Sequence, residues 1–246
     1  MHFISETTSD GVCERLFTLG DVPGVLWTAA DAPGPRPLVL LGHGGGQHKK
    51  APGLLARARR FTLACGFAVA AIDAPAHGDR PKTPQDEQFA VDIRKMMASG
   101  EDAWPMVRQH NAELAQRAVP EWQATLDALL KADCIGPDAP TGFSGMSLGS
   151  GIGIPFVAAE PRVSAAVFGL VGSEHVGAAA QVTVPVEFVL QWDDEHVPRD
   201  SGLALFDALG SAEKTLHANP GRHIDVPRFE IDSAQRFFER HLRRNG

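Results

Sequence analysis

Cysteines, basic runs and long apolar stretches are all scarce in this chain, and each scarcity argues against a class of function. Only three cysteines occur, Cys13, Cys65 and Cys134. An odd number set far apart, each with an apolar neighbour, argues against a disulfide framework or a metal site and predicts buried free thiols. No apolar run approaches the roughly 18 residues needed to cross a bilayer, and Met1–Glu6 has no basic stretch leading into an apolar one. The expectation is a cytoplasmic protein with no membrane partner. A net charge of −7 without a long Lys/Arg run opposes binding to nucleic acid, and Arg57–Arg60 and Arg240–Arg244 read as solvated helix faces. The expected partner is a small, uncharged molecule. Neither a fixed-period repeat nor a low-complexity segment occurs, which removes solenoids and disordered tails.

What is present is the composition of an ordinary globular domain. With 246 residues, 43% of them apolar and 22% charged, the chain fits one hydrophobic core, so 1–246 is expected to form one domain. Short β-rich runs at 13–19, 25–29 and 37–41 are followed by alternating helical and strand patterns. Helices are predicted at 51–65, 120–132, 147–159, 201–209 and 232–243, and strands at 67–73, 141–144, 163–170, 184–191 and 213–218. Such alternation predicts an α/β fold built on a mostly parallel twisted sheet with helices on both faces. Pro37-Leu38-Val39-Leu40-Leu41 is apolar throughout, as a strand covered on both faces should be, and Glu187 is the one polar exception in Val186–Leu190. Residues 80–118 are too long for an ordinary connection and carry Phe89, Ile93, Met96, Met97, Trp104 and Met106. They predict a small helical insertion over the carboxyl edge of the sheet, where methionines and an aromatic ring could line an apolar pocket.

Gly145-Met146-Ser147-Leu148-Gly149 lies between a predicted strand and a predicted helix. Small residues two before and two after a serine leave room for a sharp turn that lifts its hydroxyl clear of the backbone. Ser147 is therefore the candidate nucleophile; Ser144 and Ser150 lack the flanking glycines. A nucleophilic serine needs a base within hydrogen-bond reach and an acid that orients the base. Beyond the strand ending at Gln191 lies Trp192-Asp193-Asp194-Glu195-His196-Val197-Pro198, and Asp194 is the chosen acid, with Asp193 second. After the last predicted strand comes Asn219-Pro220-Gly221-Arg222-His223, where a tight turn can swing an imidazole over the sheet edge. His223 is the chosen base, with His196 its nearest competitor. Oxyanion donors are expected from the Leu148 amide and from His43-Gly44-Gly45-Gly46, with Gly45 chosen and its two glycine neighbours kept open. Gly149, Gly151 and Gly153 weaken the helix after the elbow by roughly 0.5 to 1 kcal/mol each and Pro155 removes one of its hydrogen bonds; close helix-to-strand contact would account for them, and a kink near Gly151 is expected.

These residues together resemble the α/β-hydrolase fold from about residue 20 to the end. The landmarks are His43–Gly46, the loop Asp73–Arg80, the elbow at Ser147, and Asp194 followed by His223, the family's chain order. Within that family the chain resembles dienelactone hydrolases and small carboxylesterases without a large separate lid. Dienelactone hydrolases use a cysteine nucleophile, so Ser147 brings the chain nearer the esterases and their lactone specificity is not carried over. Asp73–Arg80 resembles the family's loop after the fourth strand, and His77 in it is expected to have a structural role, packing or hydrogen-bonding near the elbow.

The reading is a serine hydrolase cleaving carboxylic esters through an acyl-enzyme on Ser147, with no metal and no organic cofactor. A small-molecule ester substrate and a monomer or homodimer are expected. The same constellation also serves thioester, lactone or amide hydrolysis, acyl transfer or perhydrolysis. The alternative from another class is a ligand-binding protein that kept the fold without turnover.

Overall fold

A computed structural model describes residues 1–31 and 34–243 of the chain. The strands are β1 (His2–Ser9), β2 (Val12–Leu19), β3 (Val22–Ala29), β4 (Leu38–Gly42), β5 (Ala68–Ile72), β6 (Thr141–Gly145), β7 (Val163–Gly169), β8 (Val186–Gln191) and β9 (Lys214–Asn219). The helices are α1 (Pro52–Cys65), α2 (Pro84–Ser99), α3 (Trp104–Leu129), α4 (Leu148–Ala159), α5 (Val176–Ala179), α6 (Arg199–Ala208) and α7 (Phe229–Leu242). One sheet contains the described strands in the order β1-β2-β3-β5-β4-β6-β7-β8-β9. Its first strands pair antiparallel as far as β3 on β5, and the other pairings are parallel.

Alternation along the strands builds two cores. In β4, Leu38 and Leu40 join one apolar cluster with α3, α4, α5 and α6, while Val39 and Leu41 join the other with α1 and α7. Every residue of β4, β5 and β8 is buried, as strands covered on both faces require. In β8 the same alternation turns Glu187 away from Phe188 and toward α7, where its carboxylate accepts a 2.9 Å bond from the Ser233 hydroxyl.

The chain leaves β4 for β5 on one side and later returns to β6 on the other. A parallel sheet opens a crevice at such a reversal, outside the carboxyl ends of the two diverging strands. The loop His43–Gly46 follows β4 and Ser147 follows β6, so both lie at this crevice.

Helix ends obey local chemistry. Pro52 opens α1, and Gly66 closes it at φ 72°, its N–H donating to the carbonyls of the last turn. Thr83 precedes α2, and the Asp86 carboxylate three residues on accepts from its N–H and hydroxyl at 2.8 Å, a reciprocal cap.

The structure departs from several of the sequence expectations. β1 lies ahead of the first predicted strand; all eight residues are exposed, so no buried face marks it in the sequence. The predicted boundary at Pro120 does not exist, because α3 runs through it for 26 residues and joins the insertion to a core helix. Cys13, Cys65 and Cys134 are free but only half-buried. Arg59 and Arg60 face outward, paired with Asp10 and Asp232, and Arg57 is half-buried at the edge of a cleft; Arg244 lies outside the described residues. Among the described residues, no helix is long and apolar enough to cross a membrane.

Candidate active site

Ser147 sits between β6 and α4 with φ 54° and ψ −121°, a left-handed conformation that strains a residue with a side chain. Its N–H donates to the Gly169 carbonyl at 2.9 Å, tying the turn to β7. The flanking glycines are sterically required: a Cβ on Gly145 would lie 2.4 Å from the Gly149 backbone, and one on Gly149 would lie 2.5 Å from the Gly42 carbonyl oxygen. A Cβ on Gly153 would meet Phe143 of β6 at 2.1 Å, so the expected close helix-to-strand contact is present there and at Gly149. Ser150 is a buried pin, its hydroxyl accepting from the Gly169 N–H at 2.8 Å and lying 2.7 Å from the Gly145 carbonyl.

The loop after β8 brings Asp194 inward. One carboxylate oxygen accepts the N–H groups of His196 and Val197 at 2.8 and 2.9 Å, and the other lies 2.8 Å from Nδ1 of His223. Burial alone would raise this carboxyl, but the bonds from His223 and the two backbone amides outweigh it and hold Asp194 below the usual carboxylate range. Asp193, the second choice, is exposed and ties down the Gly221 N–H instead.

His223 closes the chain of contacts, with Nε2 3.1 Å from the Ser147 hydroxyl oxygen. Its turn is held at several points. Gly221 takes φ 114°, Gln191 donates to the Arg222 carbonyl at 3.2 Å, and Glu195 accepts the His223 N–H at 2.9 Å. His196 lies beside the imidazole, ring centroids 4.9 Å apart, and bridges nothing between Asp194 and Ser147. Burial, followed by repulsion from His223, lowers its pKa.

Leu148 is the first residue of α4, so its N–H is one of the donors a helix start leaves unpaired. Of the three glycines after His43, Gly45 approaches it, a Cβ there falling 4.0 Å from that of Leu148. Gly44 faces Gln47 instead, and Gly46 has nothing within 4 Å. Beneath the loop, buried His43 accepts the Ala74 N–H at Nε2 and bonds the Gly44 carbonyl from Nδ1, and burial lowers its pKa to about 4. His77 packs on His43 and bonds the Pro75 carbonyl.

Two holding residues carry no local sequence signal. Glu195 fixes the backbone of the histidine turn from the acid loop. Lys49 lies buried between Asp73 at 2.7 Å and Asp79 at 2.6 Å, clamping the glycine loop to the loop after β5. Burial opposes both charges of the Lys49–Asp73 pair, yet their mutual bonds raise Lys49 and lower Asp73.

Three spaces border Ser147. A cleft of about 630 Å³ lies under the insertion, which contributes Phe89, Ile93 and Trp104. Of the methionines expected to line it, Met96 and Met106 do not, Met106 lining a separate groove, and the Met97 side chain lies outside the described set. A second cleft of about 720 Å³ lies on the α1 side, and a slot of about 30 Å³ lies between Trp104, Asn111 and Val197. Away from these, Glu187, His217 and Glu230 are the described cluster with metal-ligand spacing.

No protein-family model matches the chain, and no curated protein does. Among solved structures, it is similar to a cold-adapted esterase from an Arctic intertidal metagenomic library, at 35% identity over 99% of this chain and 100% of that one, with a TM-score of 0.82. An acetyl xylan esterase from Paenibacillus sp. R4 shares the fold at 13% identity and TM-score 0.69, covering 98% of this chain and 88% of that one. A dienelactone hydrolase from Anabaena variabilis does so at 18% and 0.61, covering 97% and 99%. The landmarks of the sequence, the sheet order and these likenesses agree: the chain belongs to the α/β-hydrolase family, with an esterase at 35% identity among its relatives, and it shares its fold with the dienelactone hydrolase.

Proposed function

We propose that the protein is a serine hydrolase of carboxylic esters. The observation that carries this reading is the unbroken contact from Asp194 through His223 to Ser147, at 2.8 and 3.1 Å. His223 takes the hydroxyl proton as Ser147 attacks the ester carbonyl, and the imidazolium is stabilised by Asp194. The carbonyl π pair moves to oxygen, where the Leu148 and Gly45 amides receive the charge; each such donor is worth about 2.7 to 4 kcal/mol of barrier. Collapse breaks the bond to the alkoxy group, which leaves as alcohol with the proton from His223. Water, deprotonated by His223, then attacks the acyl-enzyme and releases the acid and free serine. The reaction needs no metal or organic cofactor.

The 35% identical relative, itself an esterase, supports ester chemistry over the other acyl transfers open to this constellation. The test is labelling with a fluorophosphonate probe alongside turnover of nitrophenyl esters of increasing acyl length. Wild type should be labelled and active, and Ser147→Ala should lose both; retention of both by the variant overturns the assignment.

A further inference from the structure

The cleft of about 720 Å³ on the α1 side is lined by Ser147 and His223 and by two arginines, Arg57 of α1 and Arg228 at the start of α7. No aspartate or glutamate lines it. Neither guanidinium has an ion pair or a hydrogen-bond partner among the described residues. Their neighbours behave differently: Arg59 and Arg60 pair with Asp10 and Asp232, and Arg222 pairs with Glu195. Arg57 is half-buried, and with no carboxylate near it, burial alone pushes its guanidinium below the ordinary value. A half-buried guanidinium without a counter-charge is partly desolvated, and an anionic ligand group would supply the missing partner.

The geometry points to recognition of a carboxylate-bearing ester: one arm of the substrate enters the α1-side cleft and ends in a carboxylate held by Arg57, with Arg228 adding positive potential. This rests on the serine-hydrolase reading of the same site and departs from the composition-based expectation of an uncharged substrate. Net charge describes the whole surface, whereas a cleft selects by the charges on its own walls. Arginine suits the task because its planar fork matches a carboxylate with two parallel hydrogen bonds. The apolar residues that line the same cleft, Leu54, Met146 and Ile231, would cover the methylenes of the arm.

The test compares matched ester pairs that differ by a terminal carboxylate. One pair places the charge on the acyl arm, nitrophenyl pentanoate against nitrophenyl hemiglutarate. The other places it on the alcohol arm, phenyl acetate against 4-carboxyphenyl acetate. Wild type should prefer the charged member of one pair in kcat/KM by about ten- to hundredfold, the range of hydrogen bonds to charged groups. The pair that discriminates assigns the arm. Arg57→Met should erase that preference through KM while leaving the neutral ester within about twofold, and Arg57→Lys should restore part of it. Equal kcat/KM within both pairs, or a preference unchanged in Arg57→Met, overturns the proposal. Glutarate and inorganic phosphate serve as separate ligands in thermal-shift titrations of Ser147→Ala. Stabilisation by glutarate that is lost in Ser147→Ala/Arg57→Met supports the carboxylate site even if no ester tried is turned over. Stabilisation by phosphate with none by glutarate overturns it. Absence of turnover on every ester, with glutarate binding intact, would instead sink the serine-hydrolase reading.

Discussion

Glu195 holds the backbone N–H of His223 at 2.9 Å while the adjacent Asp194 holds its imidazole at 2.8 Å, so one acidic loop grips the histidine at both ends. The two carboxylates have separable consequences. Asp194→Asn removes the charge that stabilises the imidazolium and presents the wrong hydrogen-bonding group to Nδ1, so kcat should fall by about 10⁴. Asp193→Asn should stay near wild type, because among the described residues the Asp193 carboxylate meets the Gly221 N–H and not the His223 imidazole. Steady-state kinetics on a nitrophenyl ester decides, and the reverse ranking would make Asp193 the acid.

Glu195→Ala leaves the proton path intact but frees the turn that carries His223. Turnover should drop several-fold with KM nearly unchanged, and Glu195→Gln, which keeps an acceptor, should recover part of it. A wild-type kcat in the alanine variant would show that Gly221 and Gln191 hold the turn unaided.

Trp104 lies over His196, ring centroids 4.2 Å apart, and walls both the cleft under the insertion and the slot of about 30 Å³. Trp104→Ala should join the two spaces and shift the preferred nitrophenyl ester toward longer acyl chains. An unchanged chain-length profile would assign the acyl group to the α1-side cleft instead.

Lys49→Met leaves the buried Asp73 carboxylate without its cation, a loss of about 3 to 5 kcal/mol measurable by urea unfolding. The same pair sets a pH dependence. Asp73 is depressed in the folded state, so its stabilisation is complete above the unfolded value of about 3.9 and is lost as pH falls through the folded value. Lys49 is raised, so its share is complete at neutral pH and is lost only in strong alkali. Melting temperature followed from pH 7 to pH 3 should fall more steeply in wild type than in Asp73→Asn; parallel curves would remove this pair from the acid limb.

Gly149→Ala should express poorly or unfold early, since its Cβ would lie 2.5 Å from a backbone oxygen of β4 that cannot move aside. Overpacking of this kind costs about 1 to 3 kcal/mol. Calorimetry checks it, and a melting temperature equal to wild type would mean that α4 can shift away from β4.

Much of the site was legible because its chemistry is tied to local backbone requirements. A serine in the left-handed region needs glycines around it, and a turn that returns a histidine to the sheet edge uses Pro220 and Gly221; both leave marks within five residues. Strands covered on both faces are apolar throughout, which made β4 and most of the parallel sheet readable. β1 escaped because a fully exposed strand has no buried face to enforce a period, and the run of α3 through Pro120 escaped because proline more often begins a helix than sits inside one.

The sequence by itself determined the family resemblance, the chain order of serine, acid and histidine, and the glycines that the elbow demands, since each depends on neighbours a few residues away. Tertiary structure alone decided what depends on distant partners: that Asp194 rather than Asp193 turns inward, that Lys49 and Glu195 hold the loops, and that Gly45 approaches Leu148. It also decided the electrostatics of the clefts. Arg57, Arg59 and Arg60 look alike in a basic helix, and only packing shows that two meet carboxylates while Arg57 lines the way to Ser147 with none. Charge recognition is a property of which groups face one another across space, and a linear order of residues does not contain that information.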